Sequence, residues 1–159
     1  MTESPRKRVS IVIPTWNGRD LLLACLDSLA EQTFRDFETV VIDDGSTDDT
    51  VGAINERFPD VLLVSLGTNR GFCRAVNAGI KHATAELIVL LNNDITVAPD
   101  FLANLVRAAD SSGAAMFAPL ILWRDEPETI YSAGDAQRTT GRPESIGFRQ
   151  ALNAFEFPE

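Results

Sequence analysis

Apolar residues along this chain come in short runs separated by helix-like stretches. Val9 to Ile13 is a compact run rich in β-branched side chains and stopped by Pro14, the pattern of a buried strand. Leu21-Leu22-Leu23, Leu26 and Leu29 then recur at helical spacing. Phe37 to Ile42 predicts a second strand, and Val51, Ile54 and Phe58 the apolar face of a second helix that Pro59 stops. Ser46 or Thr47 is the expected cap of that helix, with Asp48 and Asp49 in its first turn. Val61 to Leu66 and Leu87 to Leu91 predict two more strands, Phe72 to Ala83 a helix between them, and Phe101 to Ala109 a helix introduced by Pro99-Asp100. Ala114 to Leu122 is a further expected strand.

Strands that alternate with helices of about ten residues imply right-handed crossovers and a mostly parallel sheet covered on both faces. The expected class is therefore α/β. From Trp123 to Glu159, glycines and prolines are scattered among charges with no sustained period. The expected organisation is a core over 1–122 and a loop-rich segment over 123–159, too short and irregular to build an acceptor platform.

Composition narrows the class. With 159 residues, 45% of them hydrophobic and 23% charged, the chain has material for one folded domain with a real core. A net charge of -9 disfavours nucleic acid and anionic membrane surfaces as main partners, so a polyanionic ligand must be met locally, through a cation. No apolar run is long enough to span a bilayer, and Met1 to Arg8 is polar without an apolar stretch of signal-peptide length behind it. Two isolated cysteines, Cys25 and Cys73, make neither a disulfide framework nor a zinc site. The expected setting is the cytoplasm.

Chemistry concentrates where strands end. Asp43-Asp44 closes the second strand and Asn92-Asn93-Asp94 closes the fourth. Carboxylates and amides at the carboxyl ends of parallel strands lie where open α/β sheets bind ligands, and hard oxygen donors suit Mg²⁺ or Mn²⁺ carrying phosphates. A turn and a helix cap would also account for Asp43 to Asp48. Two adjacent carboxylates on a buried strand, however, repel and resist desolvation unless a donor or cation compensates. Pro14-Thr15-Trp16-Asn17-Gly18 by itself is a strand-to-helix turn with Asn17-Gly18 suited to positive φ. Arg70, between Asn69 and Gly71 ahead of a helix, is either a solvated arginine or a fork for phosphate or a pyrimidine carbonyl. His82, the single histidine, is distant in sequence from both acidic clusters and reads as structural.

In this order the motifs resemble the inverting glycosyltransferases of family 2, which have the GT-A fold. The likeness rests on Val9 to Gly18, Ser28-Leu29-Ala30-Glu31-Gln32-Thr33, Phe37-Glu38 with Val41 to Asp48, and Leu90 to Asp94. Asn69-Arg70-Gly71-Phe72 with Asn77, Gly79 and Ile80 looks most like a rhamnosyltransferase-type branch. The resemblance implies that Pro14, Thr15 and Asn17 line a nucleoside pocket, that Asp44, with Asp43 beside it, reads the base, and that Arg70 flanks base or ribose. Gly71, Asn77, Asn92 and Asn93 are the further expected donor-site residues. Asp94 matches the last position of the family's Asp-X-Asp motif and should hold Mg²⁺ or Mn²⁺ on a UDP- or dTDP-linked sugar, with Asn92 in place of the first Asp.

The implied reaction is transfer to a hydroxyl of a glycan or lipid-linked acceptor, with inversion, in polysaccharide biosynthesis. It needs a general base, and the sequence offers none in the family's Glu-Asp context. Asp135, Glu144, Glu156 and Glu159 are the carboxylates available. The expected complement is a partner chain or a missing acceptor half. A non-catalytic nucleotide-sugar-binding module would explain the same clusters, and product formation discriminates the two. A phospho-receiver is disfavoured because Leu66-Gly67-Thr68 supplies no phosphorylatable Asp, and a dinucleotide-binding enzyme because no Gly-x-Gly-x-x-Gly follows the first strand.

Overall fold

The computed structural model describes residues 6–137 and 139–156. These fall into two compact units, one up to Asn104 and one from Leu105 onward, so the expected segment 123–159 lies within the second. Among the described residues no helix is long and apolar enough to cross a membrane.

The first unit alternates strand and helix as its periodicity predicts: β1 (Val9–Thr15), α1 (Arg19–Ala30), β2 (Phe37–Asp43), α2 (Thr50–Arg57), β3 (Leu62–Ser65), α3 (Phe72–His82) and β4 (Leu87–Leu90). The strands form one parallel sheet in the order β3-β2-β1-β4. β1 and the inner part of β2 are buried throughout, as continuous apolar runs in a sheet's centre require. The chain moves from β1 outward to β3, then returns across the sheet to β4. Right-handed crossovers then put α1 and α2 on one face and α3 on the other. α1 packs with α2, and α3 lies over β1 and β2. Gly79 permits the second contact, because a Cβ there would come within 2.3 Å of Val12 Cγ1.

The α1 end is clasped to the segment that follows β4. Gln32 is fully buried; its Nε2 donates to the Ala98 carbonyl at 2.7 Å, and its Oε1 accepts the Leu102 N–H at 2.9 Å. Ser28 Oγ accepts the Val97 N–H, and Thr33 N–H donates to the Pro99 carbonyl. The Leu102 bond lies in the first turn of α4 (Phe101–Ser111), which follows Pro99-Asp100 as predicted.

Two local expectations change. Neither Ser46 nor Thr47 caps α2: the cap position is Asp49, without a side-chain bond, and the helix starts at Thr50 with no acid in its first turn. Asn17 competes for those groups instead, its N–H donating to Ser46 Oγ and its Oδ1 accepting the Thr47 N–H. The run Ala114 to Leu122 yields strand only at β5 (Ile121–Leu122), and 112–120 is largely exposed. An apolar run becomes strand only where a partner supplies hydrogen bonds, and periodicity does not report the partner.

The second unit is more ordered than its composition implies. β5 pairs antiparallel with β6 (Ile130–Ser132), and β7 (Asp135–Gln137) with β8 (Pro143–Ser145). Backbone bonds join Ile130 to Arg149 and Gln150, and Ala133 and Gly134 to Ile146. Ile130 and Ser132 are buried within it.

Candidate functional site

The carboxyl ends of β1, β2 and β4 converge because three parallel strands finish at the same edge, and the chain's direction across the sheet reverses between β1 and β4. That is the position at which open α/β sheets bind ligands. A cleft of about 330 Å³ opens there, lined by Pro14, Thr15 and Trp16 after β1, by Asp44 after β2, and by Asn92, Asn93 and Asp94 after β4. Asn69, Gly71, Phe72 and Ala75 close it from the α3 side. Its volume lies in the range of small-molecule sites.

The β1 and β4 ends are bound to each other. Asn93 Nδ2 donates to Thr15 Oγ1 at 3.0 Å, and Leu91 N–H to the Val12 carbonyl at 3.0 Å. Gly18 keeps this approach open, since a Cβ there would sit 2.3 Å from Asn93 Nδ2. A turn closed by the Ile95 N–H on the Asn92 carbonyl then presents Asp94 at the exposed rim. Asp94 charge is felt beneath the turn: burial first, and then Asp94, push the Cys25 thiol up to about 12.

Asp44 is buried, and both its oxygens accept backbone N–H groups. Arg70 N–H donates to Oδ1 and Gly71 N–H to Oδ2, each at 2.8 Å. The carboxylate thereby fixes the loop that starts α3. Gly71 has φ +88, which favours glycine, and Gly45 has φ +80 with Thr68 backbone atoms 2.7 Å from where its Cβ would lie. Each Asp44 oxygen keeps a second lone pair, so a ligand N–H can still be accepted.

Asp43 is buried behind this loop, its Oδ1 accepting the Ser46 N–H at 3.0 Å. Asn17, at φ 50, serves the Ser46-Thr47-Asp48 turn. Asp48 Oδ1 accepts the Thr50 hydroxyl at 2.5 Å, which leads the hydrogen bonds that hold this carboxyl below its ordinary 3.8 against a smaller opposing effect of burial.

Of the residues expected at a donor site, Pro14, Thr15, Asp44, Gly71, Asn92, Asn93 and Asp94 share the cleft wall. Asp43, Asn17, Arg70 and Asn77 are not in it: Asp43 and Asn17 shape the loops, while Arg70 and Asn77 are exposed. Glu159 lies outside the described residues, and Asp135, Glu144 and Glu156 belong to the second unit. Among the described residues, the His82 ring bonds within its own helix, Nδ1 to the Ala78 carbonyl. Sequence reasoning passed over Trp16 and Phe72, which line the cleft while 54% and 60% exposed. Their signal was available: large aromatics beside the strand-end turns, outside the buried periodicity of β1 and α3.

Among the described residues no three of His, Cys, Asp and Glu cluster as a metal cage. Asp94 with the Asn92 and Asn93 amides fits a different pattern. Mg²⁺ takes one or two carboxylates plus substrate phosphates and keeps several waters. One carboxylate with two neighbouring amides is a set of hard oxygen donors of that kind.

The pattern of the family described as "Glycosyl transferase family 2" matches residues 10–157. An undecaprenyl-phosphate 4-deoxy-4-formamido-L-arabinose transferase of Klebsiella pneumoniae is 36% identical over 117 residues, which is 69% of this chain and 36% of that protein. A PGL/p-HBAD biosynthesis glycosyltransferase of Mycobacterium bovis is 42% identical over 88 residues, 54% of this chain and 34% of the relative. The chain thus spans about a third of the length of these relatives. The solved mannosyltransferase PcManGT from Pyrobaculum calidifontis, in complex with GDP-Man and Mn²⁺, aligns with a TM-score of 0.59 and 37% identity over 65% of this chain and 32% of its own. TarS of S. aureus (1-349) in complex with UDP aligns with a TM-score of 0.61 over 75% of this chain and 43% of its own, and at 23% identity supports the fold. The α/β sheet, the strand-end cleft and these likenesses agree: the chain belongs to glycosyltransferase family 2, with the GT-A fold.

Proposed function

We propose that the chain binds a nucleoside-diphosphate sugar, UDP- or dTDP-linked, through Mg²⁺ or Mn²⁺ and serves transfer of a hexosyl or deoxyhexosyl group to an acceptor hydroxyl with inversion. The observation that carries the proposal is the single cleft wall shared by Thr15, Asp44 and Asn92 to Asp94, with two exposed aromatic rings beside it. Trp16 and Phe72 suit a nucleobase face, and Asp44 accepts a base N–H on its remaining lone pairs. The deoxyhexosyl reading rests on the run Asn69 to Phe72 with Asn77.

Asp94, with Asn92 and Asn93, would hold the cation against the pyrophosphate. When bound, the cation neutralises charge developing on the departing diphosphate. Two contacts within the chain support the reading by holding the residues around Asp94: the Asn93–Thr15 bond sets the β4 end against β1, and the Gln32 clasp holds the 97–102 segment after Asp94. The similar solved structure of PcManGT holds a nucleoside-diphosphate sugar, GDP-Man, together with Mn²⁺, which supports both ligand classes.

Assays of released nucleoside diphosphate, with UDP-, dTDP- and GDP-sugars and Mg²⁺, test this reading. Acceptor-dependent release that Asp94→Ala abolishes supports it, and the anomeric configuration of the product reports inversion. General-base assistance contributes about 10² to 10⁴ in rate, and no residue here is assigned to it, so slow turnover is expected. Release that Asp94→Ala leaves unchanged overturns the assignment.

A further inference from the structure

The second unit carries a cleft that the donor site does not use. Trp123, Tyr131 and Phe148 form a ring cluster: Tyr131 stands edge-on to Trp123 at 5.0 Å and to Phe148 at 6.1 Å between centroids. This is not core packing, because Tyr131 is 44% and Phe148 51% exposed. Phe148 also walls an open cleft of about 660 Å³, with Phe155 as a second apolar face and Glu144, Ser145 and Gln150 as polar groups.

The backbone around this cleft is over-determined. Gly147 has φ +74, and a Cβ there would meet Phe155 and Ile130 at 3.0 and 3.2 Å. The next residue but one, Arg149, holds φ +61 without being glycine. Its guanidinium lies 4.2 Å from the Trp123 ring centroid and pairs with Glu126 at 3.2 Å. Non-glycine residues in the left-handed region persist where their surroundings fix them, and they cluster at binding sites. Here the arrangement turns Phe148 outward.

Aromatic faces beside a carboxylate, a hydroxyl and an amide suit one ligand class well. One face of a pyranose ring presents C–H groups that pack on an electron-rich ring, while its edge presents hydroxyls that both donate and accept. A phosphate suits this cleft poorly, because Glu144 lies in it and Arg149 is engaged by Glu126. The volume falls within the range of about 300–1,000 Å³ seen for ligand sites, room for more than one sugar ring. We infer that this cleft binds a sugar ring of the acceptor glycan, an inference that rests on the glycosyl-transfer reading above. On this inference, the segment read from sequence as too short for an acceptor platform contributes one sugar subsite, walled by the β7–β8 pair, Phe148 and Phe155.

Trp16 and Trp123 are the two tryptophans, so Trp16→Phe leaves Trp123 as sole indole reporter. The 159-residue chain with that substitution is titrated with trisaccharides ending in glucose, galactose, mannose, N-acetylglucosamine or rhamnose. Trp123 emission and the amide resonances of 144–150 are followed together. The expected result is a saturable change with at least one glycan. Phe148→Leu, which keeps apolar volume and removes the ring, should weaken that binding about tenfold, the loss of one aromatic face. Gln150→Ala, at an exposed position, should weaken it by a smaller factor. Saturable change with none of the five, or affinity unchanged in both variants, overturns the inference. Titrating the unsubstituted chain with UDP, dTDP and GDP plus Mn²⁺ separates the two readings. Nucleotide binding without glycan binding sinks this subsite alone, and glycan binding without nucleotide binding sinks the donor reading.

Discussion

Asp44→Asn removes a charge and one acceptor at the point where β2 meets the α3 loop. In the native chain both carboxylate oxygens are used, by the N–H groups of Arg70 and Gly71 at 2.8 Å each. Bonds from N–H to a charged acceptor contribute about 1.5–3 kcal/mol each. Asparagine keeps one acceptor and turns an NH₂ group toward the other N–H, so one such bond is lost and two donors face each other in a buried site. The expected destabilisation is about 2–4 kcal/mol. At about 2–4 °C per kcal/mol for a chain of this length, the melting temperature should fall by roughly 5–15 °C. Affinity for nucleotide falls too, by about 1–3 kcal/mol, where a base N–H loses its acceptor. Thermal denaturation gives the first number, calorimetry the second, and hydrogen exchange at the Arg70 and Gly71 amides locates the change. An unchanged melting temperature with unchanged exchange at those two amides would refute the claim that Asp44 anchors the loop.

Gln32→Ala should destabilise by about 2–4 kcal/mol, since it strands the buried Leu102 N–H and releases the Ala98 carbonyl; urea unfolding checks this, and a neutral effect contradicts it. Burial, the largest single influence, pushes the Glu38 carboxyl up, but hydrogen bonds from Ser10, Thr84 and Ala85 together outweigh it and hold it below its ordinary 4.5. A depressed folded-state value means this stabilisation is present above pH 4.5 and lost as pH falls through the folded-state value, so Glu38→Gln should flatten the acid limb of the stability–pH curve; an unaltered limb counts against it. Cys73 is exposed, whereas Cys25 is buried with its thiol near 12, so an aromatic disulfide reagent at neutral pH should titrate one thiol in the native chain and the second only after unfolding. Two fast-reacting native thiols would show that Cys25 is not enclosed.

Much of the first unit was legible because its two central strands, β1 and the inner part of β2, are buried throughout. Continuous runs such as Val9 to Ile13 have no competing helical reading when β-branched residues fill them and Pro14 stops them. Asp43 and Asp44 were legible for the same reason, since carboxylates closing a buried strand require an explanation. Loop chemistry was less so. Asn17 satisfies the Ser46-Thr47-Asp48 turn from 29 to 31 positions away, a pairing that the local Ser/Thr capping rule does not contain. Asp44 illustrates a second limit: its spacing identifies an acid at a ligand edge, but that it anchors the 70–71 backbone depends on a glycine loop closing over it. The second unit was least legible, because its strands are two or three residues long and its ring cluster joins Trp123, Tyr131 and Phe148 across 25 positions. Short antiparallel pairs leave no period to read.

The central claim is a nucleotide cleft whose cation is held by Asp94. Calorimetric titration of UDP and dTDP, with GDP alongside, into the chain in Mn²⁺ and again in excess EDTA tests it most directly, on the native chain and on Asp94→Ala. The account predicts binding of UDP or dTDP in Mn²⁺, much weaker binding in EDTA, and an Asp94→Ala variant that melts like the native chain yet binds equally weakly in both buffers. Equal affinity in Mn²⁺ and EDTA for the native chain, or full metal-dependent binding by Asp94→Ala, would contradict it.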